Sequence, residues 1–375
     1  KLEEMIESAK SNTLPQGVRQ GKRPVAELKA SIAYAHLLDK LIGDERVLEG
    51  TANPDATIIA STHSDEFYPV MEKIFGGRIM LQMQMDYFPS LAAKRTEMLA
   101  FAAKSSMRIG PMTTLADDNI GILPQVTVPS LHRIFEAMKK YKVHGFFGRN
   151  FLVTKLEVGT AYLALSSWSA EVTPEAIYRD QVSKVCGPAV VQEMLNVYSI
   201  LGETTIKVEL LASGLIFPVP SVIRKHWTES SGPDPNWNEL ADQYRTTLPL
   251  LESAFSKSRL EGKSYVEQLL GQVKFSVAYI EAVQMIRRAR TYYDNAQQAR
   301  ADKKPTDFDR NMAETDKLLN KSLDFLKTAL SEWASAVRDP ADLGALAFLN
   351  HYGYDYLKGL SHDVYLESQA RRIGN

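Results

Sequence analysis

Short apolar runs and helical periodicities alternate through the first part of the chain. Between the runs, apolar residues recur at helical spacing, for example at Leu131, Ile134 and Met138. The runs themselves are almost continuously apolar, which is typical of strands buried in a parallel sheet. Strand followed by helix in regular succession indicates βα units. Four strands are predicted in this way, at 56–63, 79–85, 107–115 and 143–150.

The second part of the chain has helical patterns only. Its first helix begins with Thr173 as a cap, Pro174 at the first helical position and Glu175 in the first turn. We therefore predict an α/β fold followed by an all-α region. Residues 1–172 would form part of a (β/α)8-type barrel with about four βα units, and residues 173–375 a C-terminal helical domain. The longest helical patterns lie at about 237–258, 264–301, 307–337 and 340–368.

Four βα units make only half of an eight-stranded barrel, and half a barrel would leave two open sheet edges. Three arrangements would resolve this. An N-terminal barrel half precedes Lys1, which is not a methionine and therefore suggests a processed, trimmed or partial chain. A partner chain, such as the second copy in a homodimer, supplies the missing half. Or the sheet is open and doubly wound.

Composition narrows the class of protein. The chain has 375 residues and a formal net charge of −1, so a nucleic-acid partner, which needs a basic face, is not expected. No apolar run reaches membrane-spanning length, so no membrane partner is expected either. The single cysteine, Cys186, allows no intrachain disulfide. A secreted or periplasmic bacterial enzyme of this size needs none, and a cytoplasmic location is the alternative.

Polar residues follow each predicted strand, where parallel α/β folds place their chemistry. Asp86 stands out because it ends the apolar run IMLQMQM. The two aspartates after the third strand would repel one another, which raises the pKa of one and suits a general acid. The candidates after the four strands are His63, Asp65 and Glu66, then Asp86 and Tyr87, then Asp117 and Asp118, and finally Arg149 and Asn150.

Two stretches of the sequence, taken with the order of the predicted elements, resemble a known enzyme family. IMLQMQMDYF resembles the barrel strand that carries a catalytic acid in the α-glucuronidase glycoside hydrolases, and the resemblance assigns that position to Asp86. LALSSWSAEVTPEAIYRD resembles the last barrel helix of that family, which runs into a tryptophan and the start of the helical domain. The resemblance covers residues 56–189. In the family the next strand ends in a glutamate, whereas Thr113 and Thr114 occupy the corresponding place here.

The resemblance predicts a glycoside hydrolase that degrades a polysaccharide or its oligomers with two carboxyl groups. Asp86 would be a base or transition-state stabiliser, and Asp117 or Asp118 the second acid. The substrate-binding candidates are His63, Asp65, Glu66, Tyr87, Arg149, Asn150 and Trp168. A non-catalytic carbohydrate-binding or scaffold protein with a degenerate barrel is the alternative, and an Arg149 anion clamp would suit a phosphate or acid-sugar enzyme.

Each candidate also has a purely structural interpretation. Asp86 would cap the following helix through Ser90, and Asp117 and Asp118 would form a turn. Arg149 would form a salt bridge, and Trp168 would belong to the core. Because the histidines lack zinc spacing and no phosphate loop or nucleophile motif is present, we expect neither a metal nor another cofactor.

Overall fold

The structure is a computed structural model. It divides into two compact units, the first formed by residues 1–115, 127–150 and 162–171 and the second by residues 116–126, 151–161 and 172–375. Within these units it describes residues 25–43, 56–62, 67–86, 88–116, 123–143, 145–149, 157–169, 171–211, 222–229 and 232–373.

A parallel four-stranded sheet forms the centre of the first unit, which confirms the predicted α/β alternation. The strands lie in the order β1-β2-β3-β4, without the reversal that marks a doubly wound sheet. Consecutive strands of a βα barrel follow the same sequential order. The strands are β1 (Ile59–Thr62), β2 (Met80–Gln84), β3 (Arg108–Thr114) and β4 (Phe147–Arg149).

Helices accompany these strands, largely where the periodicity predicts them. Residues 91–104 have the periodicity of a single helix, with apolar residues at Leu91, Met98, Leu99 and Ala102, but they form two short helices separated by Arg95 and a 3₁₀ turn. Arg95 leaves helical geometry, with φ −105° and ψ 21°. The helices are α1 (Val25–Gly43), α2 (Tyr68–Phe75), α3 (Pro89–Lys94), α4 (Leu99–Lys104), α5 (Val128–Tyr141) and α6 (Glu157–Ser166).

One face of the sheet packs on helices. Leu81, Met83 and Met85 are fully buried and belong to the same apolar cluster as Tyr68 of α2 and Ile134 of α5. Because side chains alternate along a strand, these three residues fix which face of β2 contacts the helices. The residues between them therefore belong to the opposite face.

The opposite face of the sheet is shaped by a close approach over Gly110. A methyl group on Gly110 would lie 2.7 Å from Cε2 of Phe147 and 2.9 Å from Cε of Met80, so both side chains cover this glycine. Gln84 pairs with Met112, and Met112 pairs with Phe147. Residues paired across parallel strands point to the same side, so these three share this face.

From Pro174 onward the described residues of the second unit are almost entirely helical, as predicted. Thr173 caps its helix by accepting a hydrogen bond from the amide of Ala176 at 3.2 Å, and Cys186 is buried. The pattern at 340–368 is interrupted by a π-helical segment, Asn350–Asp355. The helices are α7 (Pro174–Val185), α8 (Val191–Leu211), α9 (Val222–Thr228), α10 (Pro235–Lys257), α11 (Leu260–Ala301), α12 (Pro305–Ala336), α13 (Pro340–Leu349) and α14 (Tyr356–Ile373).

A long-range hydrogen bond and close packing hold the two longest helices together. Ser322 of α12 donates to the carbonyl oxygen of Ala282 in α11 at 2.8 Å. Gly271 brings the backbones closer still, because a methyl group there would lie 2.9 Å from Cβ of Ala336. Within the described residues, no helix has the length and apolarity that a membrane-spanning helix requires.

Candidate functional site

The carboxyl ends of three neighbouring strands bring together residues from distant parts of the chain. Thr114 of β3 pairs with Arg149 of β4, and Met112 pairs with Gln84 of β2. Asp86 stands two residues beyond Gln84, just as Thr114 stands two residues beyond Met112. Continuing the register therefore puts Asp86, Thr114 and Arg149 at one level, which we call the strand-end row.

Asp86 is held in place through both of its carboxylate oxygens. Its side chain is buried, and the residue is 8% exposed. Oδ2 lies 3.3 Å from Nη1 of Arg95, and Oδ1 accepts a hydrogen bond from the amide of Phe88 at 3.2 Å. The helix-cap interpretation of Asp86 was wrong, because α3 begins after Phe88 without a side-chain cap. A carboxylate oxygen accepts more than one hydrogen bond, so these contacts leave capacity for a ligand.

Arg95 is a site residue that the sequence analysis missed. Its Nη1 also donates to the main-chain oxygen of Met85, so one guanidinium group joins the end of β2 to the Asp86 carboxylate. The helix interruption at Arg95 is what lets its side chain return to the strand. The pair is nine residues apart, which matches neither helix nor strand spacing, and the only sequence signal is a basic residue within a predicted amphipathic helix.

Arg149 lies in the strand-end row as the last residue of β4. Its carbonyl oxygen accepts a hydrogen bond from the amide of Leu115 at 3.0 Å, which extends the ladder by one residue beyond Thr114. Thr127, just before α5, then donates through Oγ1 to the carbonyl oxygen of Leu115 at 2.6 Å. These contacts fix the ends of β3 and β4 relative to each other.

Trp168 is not part of this row. It follows α6 and is 91% exposed, so the core interpretation was wrong. The two residues before it, Ser166 and Ser167, line a cavity of 570 Å³ together with Val143 and Phe146, which precede β4. Trp168 therefore lies toward the amino end of β4, and Asp86 and Arg149 lie at the carboxyl end of the sheet.

The other seven predicted site residues cannot be compared with this geometry, because they lie outside the described residues. Three of these follow β1, one follows Asp86, two follow β3 and one follows β4. They are His63, Asp65, Glu66, Tyr87, Asp117, Asp118 and Asn150. Among the described residues, no ion pair or hydrogen bond joins Asp86 to a second carboxyl group, and no cluster of three potential metal ligands occurs.

Two further buried polar residues lie on the sheet face that points away from the helices. Gln84 precedes Asp86 by two residues, and Thr114 belongs to the strand-end row; each is 3% exposed. The phenol of Tyr68 donates to the carbonyl oxygen of Gln84 at 2.9 Å, which fixes the backbone there. The signal available in the sequence is a glutamine within a methionine-rich strand, which is easily taken for part of an apolar run.

No protein-family model and no curated protein matches this chain. Among solved structures it is similar to a GH138 enzyme that targets pectin rhamnogalacturonan II, with a TM-score of 0.52 and 10% sequence identity. The match covers 89% of this chain and 59% of that structure. At this identity the likeness shows the fold alone. The chain thus shares the fold of a glycoside hydrolase structure and spans little more than half of the length of that structure.

Proposed function

We propose that this chain is a glycoside hydrolase, or the catalytic portion of one, that cleaves a polysaccharide or oligosaccharide. The observation that supports the proposal best is the buried Asp86 carboxylate, fixed by Arg95 and by the amide of Phe88 at the carboxyl end of a parallel strand. Such strand ends form the active sites of βα barrels. The fold likeness to a glycoside hydrolase adds independent support.

In this proposal Asp86 acts as the base or as the group that stabilises the positively charged transition state. Its fixed position suits that role, because an immobile carboxylate needs no reorganisation during the reaction. Asp117 or Asp118 is proposed as the second acid, and Arg149 orients the substrate from the strand-end row. An α-glucuronidase-like architecture, a secreted or periplasmic location and an N-terminal barrel half or homodimer partner are parts of the same proposal.

A screen of rhamnogalacturonan II, glucuronoxylan and aryl glycosides tests this function. We expect turnover by the native protein and about 10²- to 10⁴-fold less by Asp86→Asn, the range attributed to a positioned acid or base. Asp180→Asn is the matched control, because Asp180 forms an exposed pair with Lys184 on α7. Its turnover should equal that of the native protein.

A non-catalytic carbohydrate-binding protein is the second candidate. The ion pair with Arg95 favours it, because the same contact would give Asp86 a purely structural role. Saturable binding of a glycan without turnover would support this candidate and exclude the hydrolase. Equal turnover by the native protein and a folded Asp86→Asn variant would remove Asp86 from the mechanism. If the protein neither binds nor cleaves any glycan in the screen, both candidates are rejected.

A further inference from the structure

Gln84 and Thr114 bury polar atoms that lack hydrogen-bond partners. Among the described residues, neither Nε2 of Gln84 nor Oγ1 of Thr114 has a hydrogen-bond partner, although each residue is only 3% exposed. Buried polar groups are nearly always paired, because leaving a buried hydrogen bond unmade costs the full desolvation of the group. Two such exceptions at adjacent strand ends need an explanation.

Packing alone does not require polar side chains at these positions. The strand uses methionine beside Gln84, at Met83 and Met85, and methionine has nearly the shape of glutamine. Valine would likewise fill the space of Thr114. Because apolar residues of the same shape avoid the cost of unmade hydrogen bonds, the polar groups of both residues are disadvantageous unless something binds them.

Their placement connects them with Asp86. Gln84 shares the face of Met112, and Thr114 lies two residues further along that strand, so both point away from the helices. Strand separation and rise put their Cα atoms about 8 Å apart, and put the Cα atoms of Thr114 and Asp86, which lie at the same level, about 5 Å apart. An amide donor, a hydroxyl and a carboxylate therefore border one region roughly as wide as a sugar ring.

We propose that Gln84 and Thr114 are positioning residues that bind hydroxyl groups of a sugar ring beside Asp86. Nε2 of Gln84 donates to one ring hydroxyl, and Oγ1 of Thr114 donates to or accepts from another. Both side chains are uncharged, and the nearby Arg95 already binds Asp86 and the Met85 carbonyl oxygen. The groups that these two side chains recognise are thus neutral hydroxyl groups of a sugar ring rather than a carboxylate or phosphate. This inference rests on the proposed function.

Apolar variants of matching shape test it with two readouts. Gln84→Met and Thr114→Val should unfold at the same temperature as the native protein or a higher one without glycan. On the aryl glycoside that the native protein cleaves best, each should raise KM about tenfold, the value of one net hydrogen bond, with a smaller change in kcat. Monodeoxy analogues of that glycoside provide the complementary test. Removing the hydroxyl group that Gln84 or Thr114 binds should raise KM for the native protein, but not for the variant that has already lost the matching side-chain group.

Thr113→Val is the matched control. Thr113 neighbours Thr114 but donates from Oγ1 to the carbonyl oxygen of Phe147 at 3.5 Å. This variant should lower the unfolding temperature slightly and leave KM unchanged.

The outcomes separate the two proposals. If the native protein cleaves glycans and both Gln84→Met and Thr114→Val keep its KM, the inference is overturned. The proposed hydrolase function then still stands. Lower unfolding temperatures for both variants would also overturn it, because the two groups would then have partners in the free protein, such as buried water. A native protein without turnover or binding would overturn the proposed function and this inference with it.

Discussion

The two units contain the same type of ion pair in opposite surroundings. In the α/β unit, Arg95 and Asp86 lie 3.3 Å apart, with side chains only 7% and 11% exposed. In the helical unit, Arg179 and Glu175 lie 2.7 Å apart on α7, with side chains 51% and 68% exposed. The exposed pair is the closer one, yet water screens its attraction and solvates either partner when the other is removed.

The comparison shows that contact distance is a poor guide to which charges matter. Removing Arg179 would leave Glu175 hydrated, whereas removing Arg95 would leave Asp86 as a buried charge without its cation. Polar groups at the strand ends therefore have fixed positions and a high cost of disruption. Those on the surface of the helical unit mainly keep its helices solvated.

Arg95→Met is expected to have the largest effect on stability. Because it leaves a buried carboxylate uncompensated, we expect the free energy of unfolding to fall by about 3–5 kcal/mol. Chemical denaturation followed by circular dichroism measures the change. Adding Asp86→Asn to this variant should recover part of the loss, since the remaining group is then neutral. A loss below about 1 kcal/mol for Arg95→Met would show that the site is more hydrated than the geometry indicates.

The same pair shows what sequence can and cannot predict. The strand before Asp86 could be predicted because a run such as IMLQMQM is apolar enough to be buried on both faces. The four parallel strands, and caps such as Thr173, depend on local patterns and were predicted for the same reason. Arg95 could not be found, because its contact with Asp86 depends on a helix interruption that tertiary packing imposes on a good helical pattern.

Register explains the rest of the site. Thr114 was noted in the sequence only as the residue standing where a glutamate was expected. Its level with Asp86 and Arg149 depends on how β2, β3 and β4 align, which no local pattern determines. Gln84 was hidden among methionines, because its importance lies in a missing hydrogen bond and not in its residue type.

Gly262→Ala should be the most damaging small change in the helical unit. Its new methyl group would lie 2.6 Å from the carbonyl oxygen of Val185 and closer still to Cα of Cys186, so backbone atoms would have to move. We expect a loss of about 3 kcal/mol or more, at the upper end for overpacking. Gly110→Ala is the comparison in the α/β unit, where the neighbours are ends of side chains. Its loss should be nearer 1 kcal/mol, measured in the same denaturation series.

Tyr244→Phe and Tyr279→Phe should stabilise the helical unit by about 1 kcal/mol each. Both phenols are buried, and their hydroxyl groups have no hydrogen-bond partner among the described residues. Burial also raises the pKa of both phenols above its usual value near 10. The stability from keeping them neutral is complete below pH 10 and is lost as pH rises through the higher folded pKa. The variants should therefore unfold less readily at alkaline pH.

These tyrosine variants sharpen the inference about Gln84 and Thr114. They remove hydroxyl groups of the same unpaired kind from a unit with no proposed role in sugar binding. Stabilisation without a change in KM would show that unmade hydrogen bonds are costly throughout this protein. Lower stability would show instead that buried water satisfies such groups, and would weaken the argument for a sugar ligand at the strand ends.

Arg179→Gln should have the smallest effect, about 0.3–0.5 kcal/mol at low salt, because an exposed pair one helical turn apart contributes little. Unfolding free energies at about 0.05 M and 1 M NaCl measure this effect. The difference from the native protein should vanish at 1 M NaCl, where the Debye screening length is only about 3 Å. Lys184→Gln, which removes the partner of Asp180 on the same helix, should behave alike. A loss of more than 1 kcal/mol that persists at 1 M salt would mean that the exposed pair behaves like the buried one. The contrast between Arg179 and Arg95 would then arise from something other than exposure to water.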